Sequence, residues 1–362
     1  MVLEKSFATL PPALMIVGTA FGSILASFIM SVVGRKYGFM LGSVVTSLSA
    51  LLASYSITEN TFIIFCFANF FIGVGHAFTA QYRFAAAESV SKELMPTAIS
   101  IILFASIIGA FIGPNIASLT KNLINDSVYT GSYIFLSMLT IIPFFLFIFY
   151  NNDKSIKFST KLVLRRRPYF YLLSEPKFIQ AIVASGLAYC TMSFLMTATP
   201  ISMHIHNNIS VGNTGIVIMF HILAMFLPSL VTGNLIKKYG NNRIMYFGVI
   251  SMLTSIFLNF IDQSFLNYLM GLIFLGLGWN FLFISGTSLL MTSYRPEEKF
   301  HAQGLNDFII FSTQALGALS AGFLLSVFGW KLINLFCVPL LIIIVLTVLI
   351  SEYQQKIIIK KQ

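Results

Sequence analysis

Eleven long apolar stretches fill nearly the whole chain, and its cations gather at every second gap between them. A helix of about 20 apolar residues crosses the hydrocarbon core of a bilayer. Hydrocarbon offers no hydrogen-bond partners, so a crossing backbone must close its own bonds. The pattern predicts an all-α polytopic membrane protein. The expected crossings run 10–33, 39–57, 62–82, 97–119, 131–150, 178–201, 214–236, 244–261, 265–290, 305–327 and 332–350.

Composition agrees. Only 9% of the 362 residues are charged and 57% are hydrophobic, whereas a soluble domain carries about 25% charged residues. No soluble core of this length would need 37 Phe. A net charge of +10 would point a soluble chain toward nucleic acid. Here the cations sit in short loops, as membrane topology requires, so the expected partner is the bilayer and no nucleic acid. Cys66, Cys190 and Cys337 lie inside apolar stretches without metal-ligand spacing. They read as small core residues, and no metal or cofactor is expected.

Of the 22 Lys and Arg, 19 fall on one side if Arg83 is counted at its edge; only Lys5, Lys121 and Lys331 fall on the other. The positive-inside rule makes the rich side cytoplasmic. An odd number of crossings then puts the N-terminus outside and the C-terminus inside. Leu10 to Val33 is too long for a signal-peptide core and reads as the first crossing. The expected organisation is an N-terminal bundle of five crossings (1–150), a basic cytoplasmic linker (151–177), a C-terminal bundle of six (178–351) and a cytoplasmic tail (352–362). The linker carries Lys154, Lys157, Lys161, Arg165, Arg166, Arg167 and Lys177. It suits a connector held at anionic headgroups; regulation or partner binding is the alternative.

The chain repeats itself. Ser27-x3-Ser31-x2-Gly34-Arg35-Lys36 at the cytoplasmic end of the first crossing matches Gly233-x3-Lys237-x2-Gly240-x2-Arg243 at that of the seventh, 206 residues on. Gly73-x-Gly75 matches Gly276-x-Gly278 at an offset of 203. Six crossings separate each pair, so the repeats are parallel. The unpaired crossing is 178–201, whose counterpart would lie upstream of Met1. The expectation is either a gene model that starts late or an eleven-crossing variant.

On these motifs the chain resembles the major facilitator superfamily. Its loop after the first crossing is similar to the signature turn Gly-x3-Asp-x2-Gly-Arg-Lys: Gly34, Arg35 and Lys36 match, with Ser27 and Ser31 replacing Gly and Asp. The crossing 97–119 resembles the antiporter-type motif Gly-x3-Gly-Pro-x2-Gly-Gly through Gly109, Gly113 and Pro114, with Ala117 and Ser118 for the last glycines. Asn69 stands at the Arg position of Arg-x3-Gly-x-Gly. Met196 to Pro200 and Ala302 to Asp307 are similar to bacterial members of unassigned substrate. The resemblance implies a two-bundle fold with 11 transmembrane helices, five plus six in parallel pseudo-repeats, that works by alternating access. It also implies that the first helix of each three-helix group lines a central cavity. Those helices offer Asn69, Gln81, Tyr189, Thr197, Trp279 and Asn280 as substrate candidates.

Small residues in lipid let helix backbones approach closely. Gly109, Gly113, Ala117 and Ser118 therefore read as a packing face, and Pro114 as a bend that lets it rock. Arg35 and Lys36 would latch acidic helix ends. Ionisable groups inside a crossing are costly and are functional candidates. Arg83 and Asp307 lie at similar depth and form a candidate gating or coupling pair, with Glu88 nearby. His221 is a candidate proton carrier, since an unperturbed imidazole titrates near neutral pH.

The expected function is a secondary transporter for a small organic solute in the cell inner membrane, a monomer coupled to protons, with antiport or efflux favoured. Uptake of a metabolite or siderophore is the alternative, as is a non-transporting receptor or assembly protein on the same scaffold. An enzyme is not expected, because no paired acids or His-Glu cluster appear. No Gly-x4-Gly-Lys-[Ser/Thr] motif marks ATP hydrolysis.

Overall fold

The computed structural model describes residues 10–124, 127–150 and 168–361. They form helices and turns with no strand. In chain order the helices are α1 (Leu10–Thr58), α2 (Phe62–Ala80), α3 (Tyr82–Glu88), α4 (Met95–Thr120), α5 (Thr130–Ile148), α6 (Tyr169–Leu172), α7 (Pro176–Ile201), α8 (Val211–Phe226), α9 (Ser229–Tyr239), α10 (Asn241–Ile261), α11 (Phe265–Leu290), α12 (Lys299–Leu335) and α13 (Cys337–Lys361). Among the described residues, nine helical segments are long and apolar enough to cross a bilayer. Two of them, Leu10–Thr58 and Pro296–Ile357, are 49 and 62 residues long. A crossing needs only about 20, and each holds a backbone break, at Gly34 and Gly329. Each therefore counts twice, which gives the eleven crossings. The expected tail is helical, since α13 runs on to Lys361. The cationic linker from Lys154 to Arg167 lies outside the described residues.

The two signature turns share one backbone geometry. Gly34 has φ 84° and ψ 171°, and Gly240 has φ 83° and ψ 160°. That region is open essentially to glycine alone. It lets one helix end and the next begin with no loop between them. Gly329, at φ 72° and ψ 169°, makes a third such turn that no motif announces. Gly34→Ala and Gly240→Ala should each cost about 1–3 kcal/mol through backbone strain. The measurement is the thermal midpoint of the purified protein in detergent, and an unchanged midpoint would mean the turns relax freely.

The chain divides into two compact units, each drawing one helix start from the other half of the sequence. Unit 1 comprises Met1–Ala85, Ile108–Arg166 and Arg295–Ser312. Its centre is the contact of α1 with α2. A Cβ on Gly73 would collide with the Met15 backbone, and one on Gly75 with Thr46, so both arms of α1 press directly on α2. Ala26, Met30, Phe39, Val74, Ala77, Phe78 and Phe300 form the core beside this contact. Ser27 donates a hydrogen bond to the Phe300 carbonyl. A Cβ on Gly304 would lie 2.6 Å from that of Ser27, so the start of α12 sits tightly against α1.

Unit 2 comprises Ala86–Ile107, Arg167–Tyr294 and Thr313–Gln362. It repeats the plan. A Cβ on Gly276 would lie 2.7 Å from the His221 carbonyl oxygen on α8, and one on Gly278 would lie 2.8 Å from the Gly248 oxygen on α10. In both units, then, the first glycine of the pair admits one neighbouring helical arm and the second admits the next. Gly233 plays the part of Ser27: its Cβ would lie 2.6 Å from Thr97 Cα at the start of α4. The parallel repeat is thus a repeat of packing as well as of sequence.

One expected packing face is not used among the described residues. A Cβ on Gly109 or Gly113 would meet nothing within 4 Å. Both glycines and Ala117 line an open apolar groove of about 400 Å³ with Ser132, Tyr133 and Leu136 of α5. The helix continues through Pro114 to Thr120. Only 17% and 11% of the apolar windows of α4 and α5 are buried, against 72% for α7. The small residues here open a surface instead of closing a contact.

Candidate functional site

The turn at Gly34 sends Arg35 into unit 1, where it is 4% exposed. Burying a guanidinium is costly unless its donors find acceptors. Nη1 donates to Gln81 Oε1 at 2.9 Å and Nη2 to Gln303 Oε1 at 2.6 Å. The Phe300 ring lies 4.8 Å from the guanidinium carbon, within cation–π range. Gln81 then passes the connection on, since its Nε2 donates to Asp307 Oδ2 at 3.1 Å. Asp307 is fully buried. Its carboxylate pairs with Arg83 and accepts from Asn306 Nδ2 at 2.9 Å. Arg83 Nη1 also donates to the Ala80 carbonyl at 2.6 Å.

A charged pair in a low-dielectric interior is tolerable only with good geometry and further hydrogen bonds. The amides of Gln81 and Asn306 supply them. The cluster joins Arg35, Gln81 and Arg83, from the first half of the sequence, to Gln303, Asn306 and Asp307, from the second. Arg35 thus bonds two glutamines, one from each half of the sequence. Lys36 donates to the Ile148 carbonyl at 2.5 Å, at the end of α5. Gln303 and Asn306 carried no sequence signal as site residues. Their nearest clue was their place in the stretch Ala302 to Asp307.

Unit 2 holds an aromatic cluster. Trp279 stacks on Phe283, one turn along α11, with centroids 5.0 Å apart and planes 15° from parallel. Tyr189 of α7 meets both rings edge-on, at 5.0 and 5.1 Å. Phe226 of α8 meets Trp279 edge-on at 5.8 Å. Such edge-on and offset pairs add about 0.5–1.5 kcal/mol each beyond area burial. Trp279 and Phe283 are buried, whereas Tyr189 and Phe226 are partly exposed. Among the described residues, the Trp279 indole N–H has no hydrogen-bond acceptor.

Asn280, next to Trp279, is committed to protein partners. Its Nδ2 donates to the Met225 carbonyl at 2.6 Å and to Ser229 Oγ at 2.7 Å. Its Oδ1 accepts from Thr232 at 2.7 Å. These groups flank Leu227–Pro228, where α8 gives way to α9. Proline supplies no N–H there, so the amide works as a clamp on the helix break.

The other candidates are dispersed. Asn69 is buried in unit 1 and donates to the Phe65 carbonyl of its own helix at 2.8 Å. Thr197 is exposed on α7. Glu88 ends α3, partly buried, and falls in unit 2. His221 is fully buried in unit 2, with Nδ1 2.8 Å from the Leu272 carbonyl. Its Nε2 has no hydrogen-bond partner among the described residues. Arg243 is exposed after the Gly240 turn.

The Major Facilitator Superfamily profile matches residues 3–179 and 181–357. The riboflavin transporter RfnT of Brucella anthropi is 32% identical over 347 residues, covering 96% of this chain and 87% of that protein. The uncharacterized MFS-type transporter YdeG of Bacillus subtilis is 27% identical, covering 90% and 79%. Among solved structures, the human organic anion transporter MFSD10 aligns with a TM-score of 0.74 at 15% identity, covering 96% of this chain and 86% of that one. A variant of the E. coli fucose:proton symporter FucP aligns with a TM-score of 0.71 at 14% identity, covering 95% and 91%. At such identities the structures speak for the fold, while the profile spans both halves of the repeat. The chain belongs to the major facilitator superfamily.

Proposed function

We propose that the chain is a secondary transporter that carries a riboflavin-like solute across the cell inner membrane by alternating access, coupled to protons. The similarity to RfnT, which runs through 96% of the chain, supports the substrate. The observation that carries the coupling is Asp307: a fully buried carboxylate at the start of a crossing, bound by Arg83 and Gln81. Protonation would release its hold on Arg83 and weaken a cluster tied to Arg35 through Gln81. A proton on one residue thereby changes contacts made by both halves of the sequence. The antiporter-type motif around Gly113 and Pro114 favours exchange of solute against protons; uptake with protons is the alternative.

The test is flux into proteoliposomes. Labelled riboflavin should accumulate under an imposed pH gradient, and a protonophore should abolish the accumulation. The direction of the gradient that drives entry distinguishes exchange from uptake. Riboflavin entry no faster than in protein-free vesicles would remove the substrate. Flux indifferent to the gradient would remove the coupling.

A further inference from the structure

We infer that the open groove between α4 and α5 is the docking site for one apolar membrane-crossing helix from outside residues 1–362. That helix lies parallel to α4 and presents small residues four apart on its contact face. The groove holds about 400 Å³, and its lining carries no charged residue. It is a surface for a partner and not for the solute.

The internal repeat shows what covers the equivalent face in unit 2. The crossing in α4 corresponds to the crossing 305–327 in α12. Gly109, Gly113 and Ala117 of α4 correspond to Gly317, Ala321 and Leu325 of α12, each 208 positions on. The outward side supports that register, since Ile108 and its counterpart Leu316 are 58% and 66% exposed. On the small-residue side the two helices differ. Gly317, Ala321 and Leu325 are buried, whereas Gly109 and Gly113 are exposed and Ala117 is partly so.

In unit 2, α7 covers that side of α12. Thr313 Oγ1 donates to the Gly186 carbonyl at 2.9 Å. A Cβ on Gly317 would lie 2.6 Å from the Cys190 carbonyl oxygen, and one on Gly322 would lie 3.9 Å from Ile201 Cδ1. The three contacts run in the same order along both helices, so α7 and α12 are parallel. Gly186 and Cys190 are small and four apart, which lets the two backbones approach. The same α7 also packs on α13. One helix thus lies against both of the last two crossings of unit 2. Among the described residues, no helix plays that part in unit 1, where a Cβ on Gly109 or Gly113 would meet nothing within 4 Å.

The lining sets the chemistry of the partner. Gly109, Gly113 and Ala117 offer no long side chain to grip, so affinity comes from close backbone approach, as between helices in lipid. A charge brought here would find no counter-ion among the lining residues, and ionisable groups inside a crossing are costly. Residues 1–9 and 151–167 lie outside the described segments. Each stretch is shorter than the about 20 residues of a crossing, so neither is the occupant. A second copy would bring a whole bundle to a position that α7 alone fills in unit 2.

The experiment uses the purified full-length chain in proteoliposomes. The probe is a synthetic peptide of Pro176–Ile201 flanked by lysines, in which Cys190 is the single thiol. The Gly109→Cys variant should meet that thiol, as Gly317 meets Cys190 in unit 2. With copper–phenanthroline as oxidant, Gly109→Cys should form a disulfide with the peptide at least about fivefold faster than wild type does, because close small-residue packing holds the two together. Leu119→Cys, at a position of α4 that is 80% exposed and outside the groove, should react no faster than wild type. A peptide carrying Gly186→Leu should lose most of the reaction. Adding Gly113→Leu to Gly109→Cys should block it while leaving the thermal midpoint of the chain unchanged, since the new side chain enters open space. Equal rates at positions 109 and 119 would mean chance collision and overturn the inference, leaving lipid chains to fill the groove. A reaction that survives Gly113→Leu would place the peptide elsewhere and overturn it too. Disulfide-linked dimers of Gly109→Cys that form in preference to the peptide adduct would replace the partner helix with a second copy of the chain.

Discussion

Asp307→Asn should abolish proton-driven accumulation of solute while destabilising the folded protein. The side chain is fully buried and carries the negative member of the ion pair with Arg83. Removing one partner of a buried pair costs about 3–5 kcal/mol, because the other charge stays behind without its counter-ion. The amide of Asn is close in shape but keeps one oxygen, whereas Gln81 donates to Oδ2 and Asn306 to Oδ1, so one of these two bonds is lost as well. The unpaired Arg83 charge is the larger loss. A structural effect and a coupling effect can be separated with a second variant. The double change Arg83→Gln with Asp307→Asn removes both charges, and the thermal midpoint should recover most of the way toward wild type. Gradient-driven accumulation should stay abolished, while facilitated exchange of labelled for unlabelled solute persists. If the double variant regains gradient-driven accumulation along with stability, Asp307 is a structural partner of Arg83 and carries no coupling proton.

Gly73→Ala and Gly276→Ala should each lose about 1–3 kcal/mol of stability, the usual cost of forcing a methyl into a packed interior. A Cβ on Gly73 would collide with the Met15 backbone, and one on Gly276 would meet the His221 carbonyl oxygen at 2.7 Å. Backbone cannot rotate away as a side-chain tip can, so the helices must separate. Helices in lipid depend on that close approach, since no hydrophobic driving force holds them together. Gly113→Ala should differ. Its added methyl meets nothing within 4 Å among the described residues, and surface changes of this kind stay within about 0.5 kcal/mol. All three variants can be compared by thermal midpoint in one detergent. Should Gly113→Ala fall as far as Gly73→Ala, another helix occupies the groove between α4 and α5 in the working protein.

The sequence alone determined the class, the crossings and the repeat. Apolar runs long enough to cross a bilayer, with cations at alternate gaps, admit few other solutions, because the bilayer imposes its thickness and its polarity on any chain that enters it. The signature glycines were legible for the same reason: Gly34 and Gly240 hold backbone angles closed to other residues. The partnerships were not legible. Nothing in the spacing shows that Gln303 would take Arg35, that Gln81 would bridge it to Asp307, or that Asn280 would clamp a helix break and leave its neighbour's N–H unmatched. Gly113 and Gly73 look alike in sequence, and only one is crowded. Period and hydropathy specify which face of a helix is apolar or small. Which neighbour meets that face depends on contacts between residues hundreds of positions apart, and these exist only once the helices have packed.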